Sequence, residues 1–400
     1  MNIPELSLCF NPEQNSSFLA DLLKSSTNPL LSKLQLTVRP LMWAGYKEEL
    51  VKMALQNGGA DMSQVGFPLT EDLISMNALL PISRQLIVKM GGQSAFHTTV
   101  WNIANRHQEG QLWSMPWLVD PRALFYWKDM LDKADLGPKA AFASVESMED
   151  ACQRMQARGI KYPWVLGMAD KFVMIHAIAS WVWGKGGDFI LSKGNRAVFL
   201  EQAALQGMEA FFRLSQYMPA ENPAFSASES HRFFVERKAA VTIGDYGALG
   251  RFRAALPPEM RDLLGVSLPP GPPLLAGSDL VIWRHTRKDE EVAHLLSILF
   301  GTEVQIKYSE YMGGLPVTVD ALENLAEARD ANIDTFIETL ETGRLFTTAK
   351  FGGMLELQLA AGLKDVWANL SQNPSGDVKG TIRTSLESIR RRFDMMNEKQ

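Results

Sequence analysis

In the first part of the chain, short apolar runs alternate with segments whose apolar residues recur at helical spacing. The short apolar runs "LSLCF" and "KLQLTVRPL" are each followed by a segment with apolar residues at helical spacing, from about Glu13 and from about Tyr46. A third apolar run, "ADMSQVG", precedes the helical segment "TEDLISMNALLP". Strands that alternate with helices in this way predict a parallel sheet with helices on its faces.

The third of these units has the clearest boundaries. Thr70 is a candidate helix N-cap, Glu71 and Asp72 lie in the first helical turn, and Pro81 follows the helix. The helix comes directly after the loop 66–68. Loops that follow the strands of an open α/β sheet lie at its carboxyl edge, where ligands bind. The sequence therefore predicts a binding loop at this position.

A second α/β pattern covers the middle of the chain. It consists of a helix near 144–158, the short strand "WVLGM", an apolar helix that ends at Trp183, a helix near 199–217 and the strand "AAVTIG". The proline-rich segment 257–273 is predicted to be a loop. Strand character returns in "SDLVIW", which is followed by the charged helix "TRKDEEVAHLLSILFG", the connector "YMGGLPVT" and a mostly helical C-terminal part.

Aromatic rings and prolines are concentrated in "LWSMPWLVDPRALFYWKDMLDKADLG", residues 112–137. A strand in a core accounts for the rings but not for the prolines, because each proline removes a donor from the strand ladder. A binding cleft or a hinge accounts for both. The segment is therefore predicted to be part of a cleft or a hinge.

Length and composition favour two domains, or one domain in two lobes, because 400 residues at 46% hydrophobic are more than one core usually takes. A net charge of -5 and a pI near 5.8 give no general attraction for nucleic acid or anionic lipid. Cys9 and Cys152 both fall in apolar patterns. They are predicted to be free thiols in the core.

No motif for catalysis or for a cofactor is found. The sequence has no glycine-rich dinucleotide fingerprint, no phosphate loop, no Cys-x-x-Cys pair and no His-Glu-x-x-His motif. The six histidines are scattered without an i, i+4 pair, so no metal site is expected. The serines lack the context of a nucleophile elbow. The chain is predicted to be no enzyme and to need no cofactor, although two carboxylates distant in sequence could still form a catalytic dyad.

The expected location depends on how the chain begins. No apolar segment reaches the roughly 20 residues that a membrane-spanning helix requires, and the best candidate is "KFVMIHAIASWVW". The N-terminus has no signal-peptide pattern. We expect a periplasmic or extracytoplasmic location if a leader has been trimmed, and a cytoplasmic location if Met1 is native.

Several segments, taken in chain order, resemble the family 1 extracellular solute-binding proteins, the sugar-binding type of ABC importers that is similar to maltose-binding protein. "ADMSQVGFPLTEDLISMNALLPIS" resembles the third strand and helix of the family. "LWSMPWLVDPRALFYWKDMLDKADL" resembles its first crossover, with Asp135 where glycine is usual. "SWVWGKGGDFI", "RKAAVTIGDYG", "AGSDLVIWRHTRKDEEVAHLLSILF" and "GGLPV" are similar to later motifs. Each motif is weak alone, but together they cover nearly the whole chain in the right order.

The resemblance implies an α/β, two-lobed periplasmic-binding-protein-like fold (type II) with hinge crossings between the lobes. Lobe one would comprise residues 1–117 and 277–313, and lobe two residues 118–276 and 314–400. Residues 115–125 would form the first hinge strand, with Trp117 facing the cleft. Closure over a ligand would be a hinge motion.

The resemblance also implies a set of ligand-binding residues. Sugars present flat apolar faces ringed by hydroxyls, so their sites combine aromatic platforms with a few polar groups. The implied residues are Trp43, Phe67, Trp117, Asp170, Trp183, Asp245, Tyr246, Gly277, Ser278, Tyr311 and Phe351.

The tryptophans, Asp245, Gly277 and Ser278 each have a structural alternative. A tryptophan commonly lies in the core, as is expected of Trp127, Trp164 and Trp367. Asp245 could instead cap the helix that follows it. Gly277 and Ser278 match a Gly-Gly-Ser motif that lets the ligand approach the backbone, although Ala276 replaces its first glycine. Their alternative is a tight turn into a strand.

The predicted function is the capture of a sugar or oligosaccharide between two lobes for an ABC importer, by a monomer whose partners are the membrane subunits. One alternative is a cytoplasmic ligand-sensing module on the same fold. Another is a binder of a polar or anionic solute such as a glycerol phosphate compound. The expected cleft segments contain few cationic residues beyond Arg122 and Lys350, which favours a neutral sugar. An enzyme on this fold is a further alternative, for which no catalytic constellation is found.

Overall fold

The computed structural model describes residues 3–10, 14–26, 35–43, 45–106, 111–170, 172–191, 195–347, 352–372 and 376–398. The chain divides into two compact units. The first unit comprises Met1–Asp120 and Ala276–Ala328, and the second comprises Pro121–Leu275 and Arg329–Gln400. The chain therefore passes from one unit to the other at three places along its length.

Strands and helices alternate along much of the described chain. The strands are β1 (Glu5–Phe10), β2 (Thr37–Met42), β3 (Met62–Gly66), β4 (Leu79–Leu80), β5 (Ser114–Pro121), β6 (Ala123–Trp127), β7 (Ile190–Leu191), β8 (Arg196–Ala197), β9 (Val241–Gly244), β10 (Leu264–Ser267) and β11 (Leu275–Trp283). The helices are α1 (Phe18–Ser25), α2 (Tyr46–Gln56), α3 (Phe67–Ser75), α4 (Arg84–Lys89), α5 (Thr98–Ala104), α6 (Lys128–Lys133), α7 (Pro138–Ala141), α8 (Val145–Ala157), α9 (Val173–Gly184), α10 (Gln202–Arg213), α11 (Ala227–Val235), α12 (Tyr246–Ala255), α13 (Pro258–Arg261), α14 (Asp289–Leu299), α15 (Thr302–Met312), α16 (Val319–Ala326), α17 (Ala331–Thr342), α18 (Gly352–Gln372) and α19 (Val378–Glu398). Short 3-10 turns lie at Gln93–Ala95, Leu214–Tyr217 and Asn222–Ala224.

The first unit is built on a six-stranded sheet of order β2-β1-β3-β11-β4, in which β5 also pairs with β11. β1 runs parallel to both neighbours, so that Leu6 lies beside Val38 and Met62. β11 returns antiparallel to β3 and places Ser278 opposite Gly66. The predicted parallel α/β pattern is therefore confirmed for the first three strands, and the returning strand adds an antiparallel pair.

The core of the first unit lies between this sheet and its helices. All five residues of β3 are buried, as expected for a strand covered on both faces. Leu50 of α2 and Leu73 of α3 pack with Val65 and Trp283 in one buried cluster. The indole Nε1 of Trp283 donates to the hydroxyl of Ser63 at 2.7 Å, so the largest ring of this core also has its polar atom satisfied.

The second unit contains a three-stranded sheet of order β10-β6-β9, with both outer strands antiparallel to β6. Phe125 of β6 is fully buried and packs against the rings of Phe252 and Phe336. Trp127 is fully buried as well, and its Nε1 donates to the Phe234 carbonyl at 3.0 Å. Trp127, Trp164 and Trp367 are all buried in the second unit, which confirms their assignment to the core.

The segment rich in rings and prolines forms two consecutive strands, β5 and β6. Pro116 lies within β5, and Pro121 is its last residue. β5 pairs with β11 and makes one further bridge, from Val119 to Leu315. Pro121 is tolerated because it lies at the end of its strand, where a missing N–H does not interrupt the ladder.

Three local expectations are wrong. The segment 257–273, expected to be a loop, contains the short helix α13 and the strand β10, because its prolines lie at its two ends and leave 259–268 free of them. The expected strand "WVLGM" makes only one described bridge, from Trp164 to Val241. Thr70 is not a cap, because α3 begins three residues earlier at Phe67 with Pro68 in its first turn.

The boundaries of the two units differ from the expected lobes at 118–120, at Ala276 and at 314–328. The first unit includes 118–120 because β5 continues through them, with Val119 paired to Leu315. It also includes 314–328, because α16 packs against α15 and the turn Gln93–Ala95. A bridge from Phe96 to Thr318 fixes the start of that helix. Among the described residues, no helix has the length and apolar character that crossing a membrane requires.

Candidate functional site

The carboxyl edge of the first sheet collects the ends of three parallel strands. Phe10, Met42 and Gly66 are the last residues of β1, β2 and β3. The backbone N–H of Trp43 donates to the Phe10 carbonyl at 3.1 Å, which fixes the chain as it leaves β2. This edge is where an open α/β sheet binds its ligands, and it includes Trp43, one of the predicted binding residues.

Trp43 is a partly buried ring at this edge. It meets Tyr46 edge to face, with ring centroids 4.9 Å apart. A Cβ on Gly66 would lie 2.5 Å from the Tyr46 hydroxyl, so glycine is needed there for the tyrosine to approach the end of β3. Trp43 therefore combines a firm support from Tyr46 with a remaining exposed surface, as a platform for a flat ligand requires.

Phe67 belongs to a buried, charged group beside this edge. The Arg106 guanidinium lies 4.8 Å above the Phe67 ring and forms a salt bridge with the fully buried Asp279 carboxylate. The Thr70 hydroxyl donates to the same carboxylate at 2.7 Å. Phe67 is itself only 6% exposed, so its ring packs against the Arg106 guanidinium and offers little surface to a ligand.

Gly277 and Ser278 do not have the predicted role of leaving space for a ligand. A Cβ on Gly277 would lie 2.4 Å from the Leu118 carbonyl oxygen and 2.7 Å from the Phe67 ring. The space beside Gly277 is therefore occupied by the first unit itself. Ser278 is 2% exposed, and its hydroxyl accepts a hydrogen bond from Gln64 Nε2 at 2.8 Å.

Trp117 lies in the core of the first unit, which contradicts the expectation that it faces a cleft. The side chain is fully buried. Its ring meets Phe300 edge to face at 5.9 Å and lies 5.0 Å from Tyr308. The strand position was predicted correctly, but alternation along β5 places this residue on the side of helices α14 and α15.

Tyr311 is partly exposed and stays in the first unit near its N-terminal segment. Its ring stacks on Phe18 at 3.8 Å. Its hydroxyl donates to the Asn15 carbonyl at 3.2 Å and also accepts from the Asn15 backbone N–H. These contacts tie α1 to α15, and they account for the tyrosine without a ligand.

The edge of the second sheet carries a carboxylate between two arginines. β9 ends at Gly244, opposite Ala123 at the start of β6. The next residue, Asp245, is the N-cap of α12, where its Oδ1 accepts from the Ala248 backbone N–H at 2.7 Å. Arg251 Nη2 lies 2.8 Å from Oδ1, and Arg122 Nη1 lies 3.3 Å from Oδ2. The predicted capping role is thus present, together with ion pairs that no motif indicated.

The surroundings of Asp245 keep it ionised. Burial alone would raise the pKa of the carboxyl, but the charges of Arg251 and Arg122 lower it to about 2, with help from the Ala248 N–H. His231 lies nearby with its Nε2 at 3.2 Å from the Ile243 carbonyl, and burial lowers the pKa of its imidazole. The group therefore carries two guanidinium charges against one carboxylate near neutral pH.

Tyr246, the residue after Asp245, is only 9% exposed. Its ring meets Phe336 edge to face at 5.5 Å. The aromatic ring expected at the end of this strand is therefore present, but most of its surface packs against α17.

Trp183 lies in a second aromatic and charged group of the second unit. Its Nε1 donates to Asp188 at 3.1 Å, and the Arg344 guanidinium lies 4.9 Å above its ring. Arg344 also pairs with Asp188 at 2.9 Å. Phe346 lies 5.7 Å from the same indole. Because the ring is only 4% exposed, stacking of a ligand on it would require these neighbours to move.

Two predicted residues remain. Asp170 is exposed, and its Oδ2 accepts from the Ala227 backbone N–H at 2.6 Å, which satisfies the start of α11. Phe351 lies outside the described residues. The structure thus brings Trp43, Phe67, Gly277 and Ser278 together at one edge of the first unit, and Asp245 and Tyr246 at an edge of the second.

Sequence reasoning missed the roles of four arginines, Arg106, Arg122, Arg251 and Arg344. Each pairs with an aspartate on a different element or a different turn. Arg106 and Asp279 are 173 positions apart. No spacing rule connects residues so far apart, because only the fold brings them into contact.

The described parts of the chain contain no metal centre. No group of three possible metal ligands occurs among the described residues. A surface cavity of about 610 Å³ in the second unit is lined mainly by paired charges, with Arg196 at 2.6 Å from Glu201 and Arg390 at 2.7 Å from Glu387. The charges within each of these pairs neutralise one another, and neither Asp245 nor its two arginines line the cavity.

A family model of bacterial extracellular solute-binding proteins matches residues 34–335. Among solved structures, the sugar-binding protein MalE of Xanthomonas citri is 18% identical, with 99% of this chain and 98% of that chain covered and a TM-score of 0.79. An ABC transporter solute-binding protein of Thermotoga lettingae, bound with α-D-tagatose, is 17% identical over 98% of this chain and 100% of that one, with a TM-score of 0.77.

A sugar transporter of Arthrobacter chlorophenolicus with bound laminaribiose is 13% identical, with 98% and 99% of the two chains covered and a TM-score of 0.77. At these identities the likeness establishes the fold, and it confirms the predicted α/β periplasmic-binding-protein class. A sequence comparison with curated proteins gave no match.

Proposed function

Because the chain belongs to the family of bacterial extracellular solute-binding proteins, we propose that it captures a sugar or oligosaccharide and delivers it to an ABC importer. The observation that carries the proposal is the family match over residues 34–335. The neighbours with the same fold include proteins that hold α-D-tagatose and laminaribiose, which supports a sugar as the ligand class.

The first unit offers a surface suited to a sugar. Trp43 keeps part of its ring exposed while Tyr46 supports it edge to face at 4.9 Å. The apolar face of a pyranose or furanose ring packs well against such an indole. We therefore propose Trp43 as the aromatic platform of the site.

The second unit offers a polar group for sugar hydroxyls. The Asp245 side chain is 26% exposed and ionised, and the paired Arg122 is 20% exposed. A carboxylate accepts hydrogen bonds from hydroxyls, and a guanidinium donates to them. Binding by such groups involves no chemical conversion, so the proposed role is capture and release without catalysis.

The family also supports a location and a partner. An extracellular solute-binding protein works outside the cytoplasm, and the chain is proposed to do so as a monomer. Its partners would be the membrane subunits of an ABC importer. The net charge of -5 offers no attraction for an anionic membrane surface, so delivery would depend on the subunits themselves.

A binding screen tests the proposal directly. The full chain is titrated calorimetrically with α-D-tagatose, laminaribiose and maltose, and with glycerol 3-phosphate as the anionic comparison. Thermal shifts are measured in parallel, because a ligand that binds only the native state stabilises it by about 2.7 kcal/mol at a hundredfold excess over Kd. Saturable binding of a neutral sugar is expected. Binding of glycerol 3-phosphate alone would contradict the proposed ligand class.

A further inference from the structure

The two oxygens of the Asp245 carboxylate have different surroundings. Oδ1 accepts from the Ala248 backbone N–H at 2.7 Å and from Arg251 Nη2 at 2.8 Å. Oδ2 has one described ion-pair partner, Arg122 Nη1, at the longer distance of 3.3 Å. A carboxylate oxygen can accept two hydrogen bonds. Oδ1 is therefore committed to the helix and its arginine, while Oδ2 retains acceptor capacity.

Arg122 is the more firmly held of the two arginines. Its backbone N–H donates to the Leu274 carbonyl at 3.0 Å, and the residue lies between β5 and β6. Its side chain is 20% exposed, whereas that of Arg251 is 56% exposed. Because fewer rotamers are open to a side chain enclosed in this way, Arg122 can orient Oδ2 more strictly than Arg251 can orient Oδ1.

The charged groups around Asp245 come from three elements. Arg251 faces it from its own helix α12, Arg122 from the link before β6, and His231 from α11. The Nε2 of His231 lies 3.2 Å from the Ile243 carbonyl, which fits a neutral imidazole that donates there. At neutral pH the positive charges that act on the carboxylate are thus those of Arg251 and Arg122, and acid would add charge first to the imidazole.

We propose that Arg122 is a positioning residue of the sugar site, which orients the Asp245 carboxylate so that Oδ2 accepts a hydrogen bond from a hydroxyl of a neutral sugar. The inference rests on the proposed function and deepens it by naming the ligand group that is recognised. An ionised carboxylate oxygen can only accept, so its partner must bring a proton, which a hydroxyl has and a deprotonated carboxylate or phosphate oxygen lacks. Oδ2 would therefore recognise a hydroxyl of the ligand.

The test uses the full chain and the sugar that the wild type binds among α-D-tagatose, laminaribiose and maltose. Affinity is measured by calorimetry at pH 7.5 and pH 4.0 for Arg122→Met and Arg122→Lys. Arg213→Met is the matched control, since it also removes an arginine that pairs with a carboxylate in the second unit, at 2.8 Å from Glu209. Asp245→Asn is added as a variant that keeps the shape of the side chain.

We expect Arg122→Met to bind about tenfold more weakly at pH 7.5, as for loss of a group that fixes a charged hydrogen bond. Its affinity should fall further at pH 4.0, because the carboxyl has lost one of the charges that keep it ionised. Arg122→Lys should restore most of the affinity at both pH values. Asp245→Asn should also bind about tenfold more weakly, and it remains informative if Arg122→Met does not fold.

Several outcomes would overturn the inference. Wild-type affinity in Arg122→Met or in Asp245→Asn would exclude the positioning role. An equal loss at both pH values that lysine fails to restore would show that Arg122 acts only through the fold. If no sugar binds the wild type, the proposed function fails and this inference fails with it. Sugar binding that is insensitive to Arg122 overturns the inference alone.

Discussion

Gly277 faces the carbonyl oxygen of Leu118 so closely that a Cβ at this position would lie 2.4 Å from it. The φ angle of Gly277 is 151°, in the region that residues with a side chain rarely adopt. Two independent constraints thus require glycine where β11 lies beside β5. The residue predicted to open the backbone to a ligand instead lets two strands of the protein approach each other.

Replacement of Gly277 by alanine should destabilise the protein. Strain at such a φ angle costs about 1–3 kcal/mol, and the contact with Leu118 adds to it. The free energy of unfolding, measured by urea denaturation, should fall by about 3 kcal/mol. The matched control is Gly250→Ala in α12, where a Cβ would meet nothing within 4 Å. That change should raise helix stability by up to about 1 kcal/mol, and an equal loss in both variants would contradict the explanation.

Trp117→Ala should act on stability. The fully buried ring packs against Phe300 and Tyr308, and truncation of a core tryptophan costs about 3–5 kcal/mol. Differential scanning calorimetry of the wild type, Trp117→Ala and the milder Trp117→Phe should show decreasing transition temperatures in the order wild type, Phe, Ala. A Trp117→Ala protein that melts like the wild type and no longer binds sugar would place Trp117 in the site after all.

Trp43→Ala should weaken sugar binding and change stability little. The ring is partly exposed at the sheet edge, so the unfolding free energy should fall by only about 1 kcal/mol. Affinity for the sugar should fall about tenfold or more, as for the loss of a central aromatic contact. Trp113→Ala is the matched control, because Trp113 is another partly buried indole against the same core cluster. Equal affinities of the two variants would exclude Trp43 as the platform.

The sequence predicted the elements better than it predicted the site. Hydrophobic periods located β1, β3 and α8 within one or two residues, because burial on a helix face or in a strand leaves a local pattern. The hydrophobic pattern failed at 257–273, where one pair of prolines before the strand β10 and two pairs after it concealed the strand. Family motifs gave the class of fold, since their order along the chain reflects the order of the elements.

Side-chain roles were harder to predict, because they depend on which face of an element meets a neighbour. Trp117 and Trp183 lie where they were expected along the chain, yet both rings are covered by residues of their own units. Asp245 was assigned either to the ligand or to the helix cap. In the structure it is the cap of α12, while Oδ2 pairs with Arg122, which directly precedes the neighbouring strand β6. No sequence pattern distinguishes these possibilities.

Both cysteines should be unreactive in the native protein. Cys9 and Cys152 are fully buried and free, one in each unit. Burial raises the pKa of both thiols, so almost no thiolate is present near neutral pH. Labelling with a maleimide followed by mass spectrometry should detect two adducts after denaturation without reductant and essentially none before. Rapid labelling of either cysteine in the folded protein would contradict the burial of its side chain.

Asp72 should make the stability of the first unit depend on pH in the mildly acid range. Burial raises the pKa of this carboxyl from 3.8 to about 6, against the attraction of Lys47 and with added repulsion from Glu71. Between these two values the folded protein holds a proton that the unfolded chain has released. The free energy of unfolding therefore falls as pH rises from about 4 to 6, and it is flat above that.

Asp72→Asn removes this titration and should stabilise the protein at pH 7. A pKa difference of one unit between the folded and unfolded states corresponds to about 1.4 kcal/mol of unfolding free energy. Because Asp72 is partly exposed, solvent screens this effect, and we expect the substitution to raise the unfolding free energy by about 1 kcal/mol in total. Urea denaturation at pH 4.5 and pH 7 measures the effect. The unfolding free energy of Asp72→Asn should be higher than that of the wild type at pH 7 and close to it at pH 4.5. The control Asp150→Asn changes an exposed aspartate of α8 and should show no such dependence on pH. A wild type whose stability rises through this interval as much as that of Asp72→Asn would show that the Asp72 carboxyl releases its proton at an ordinary pH.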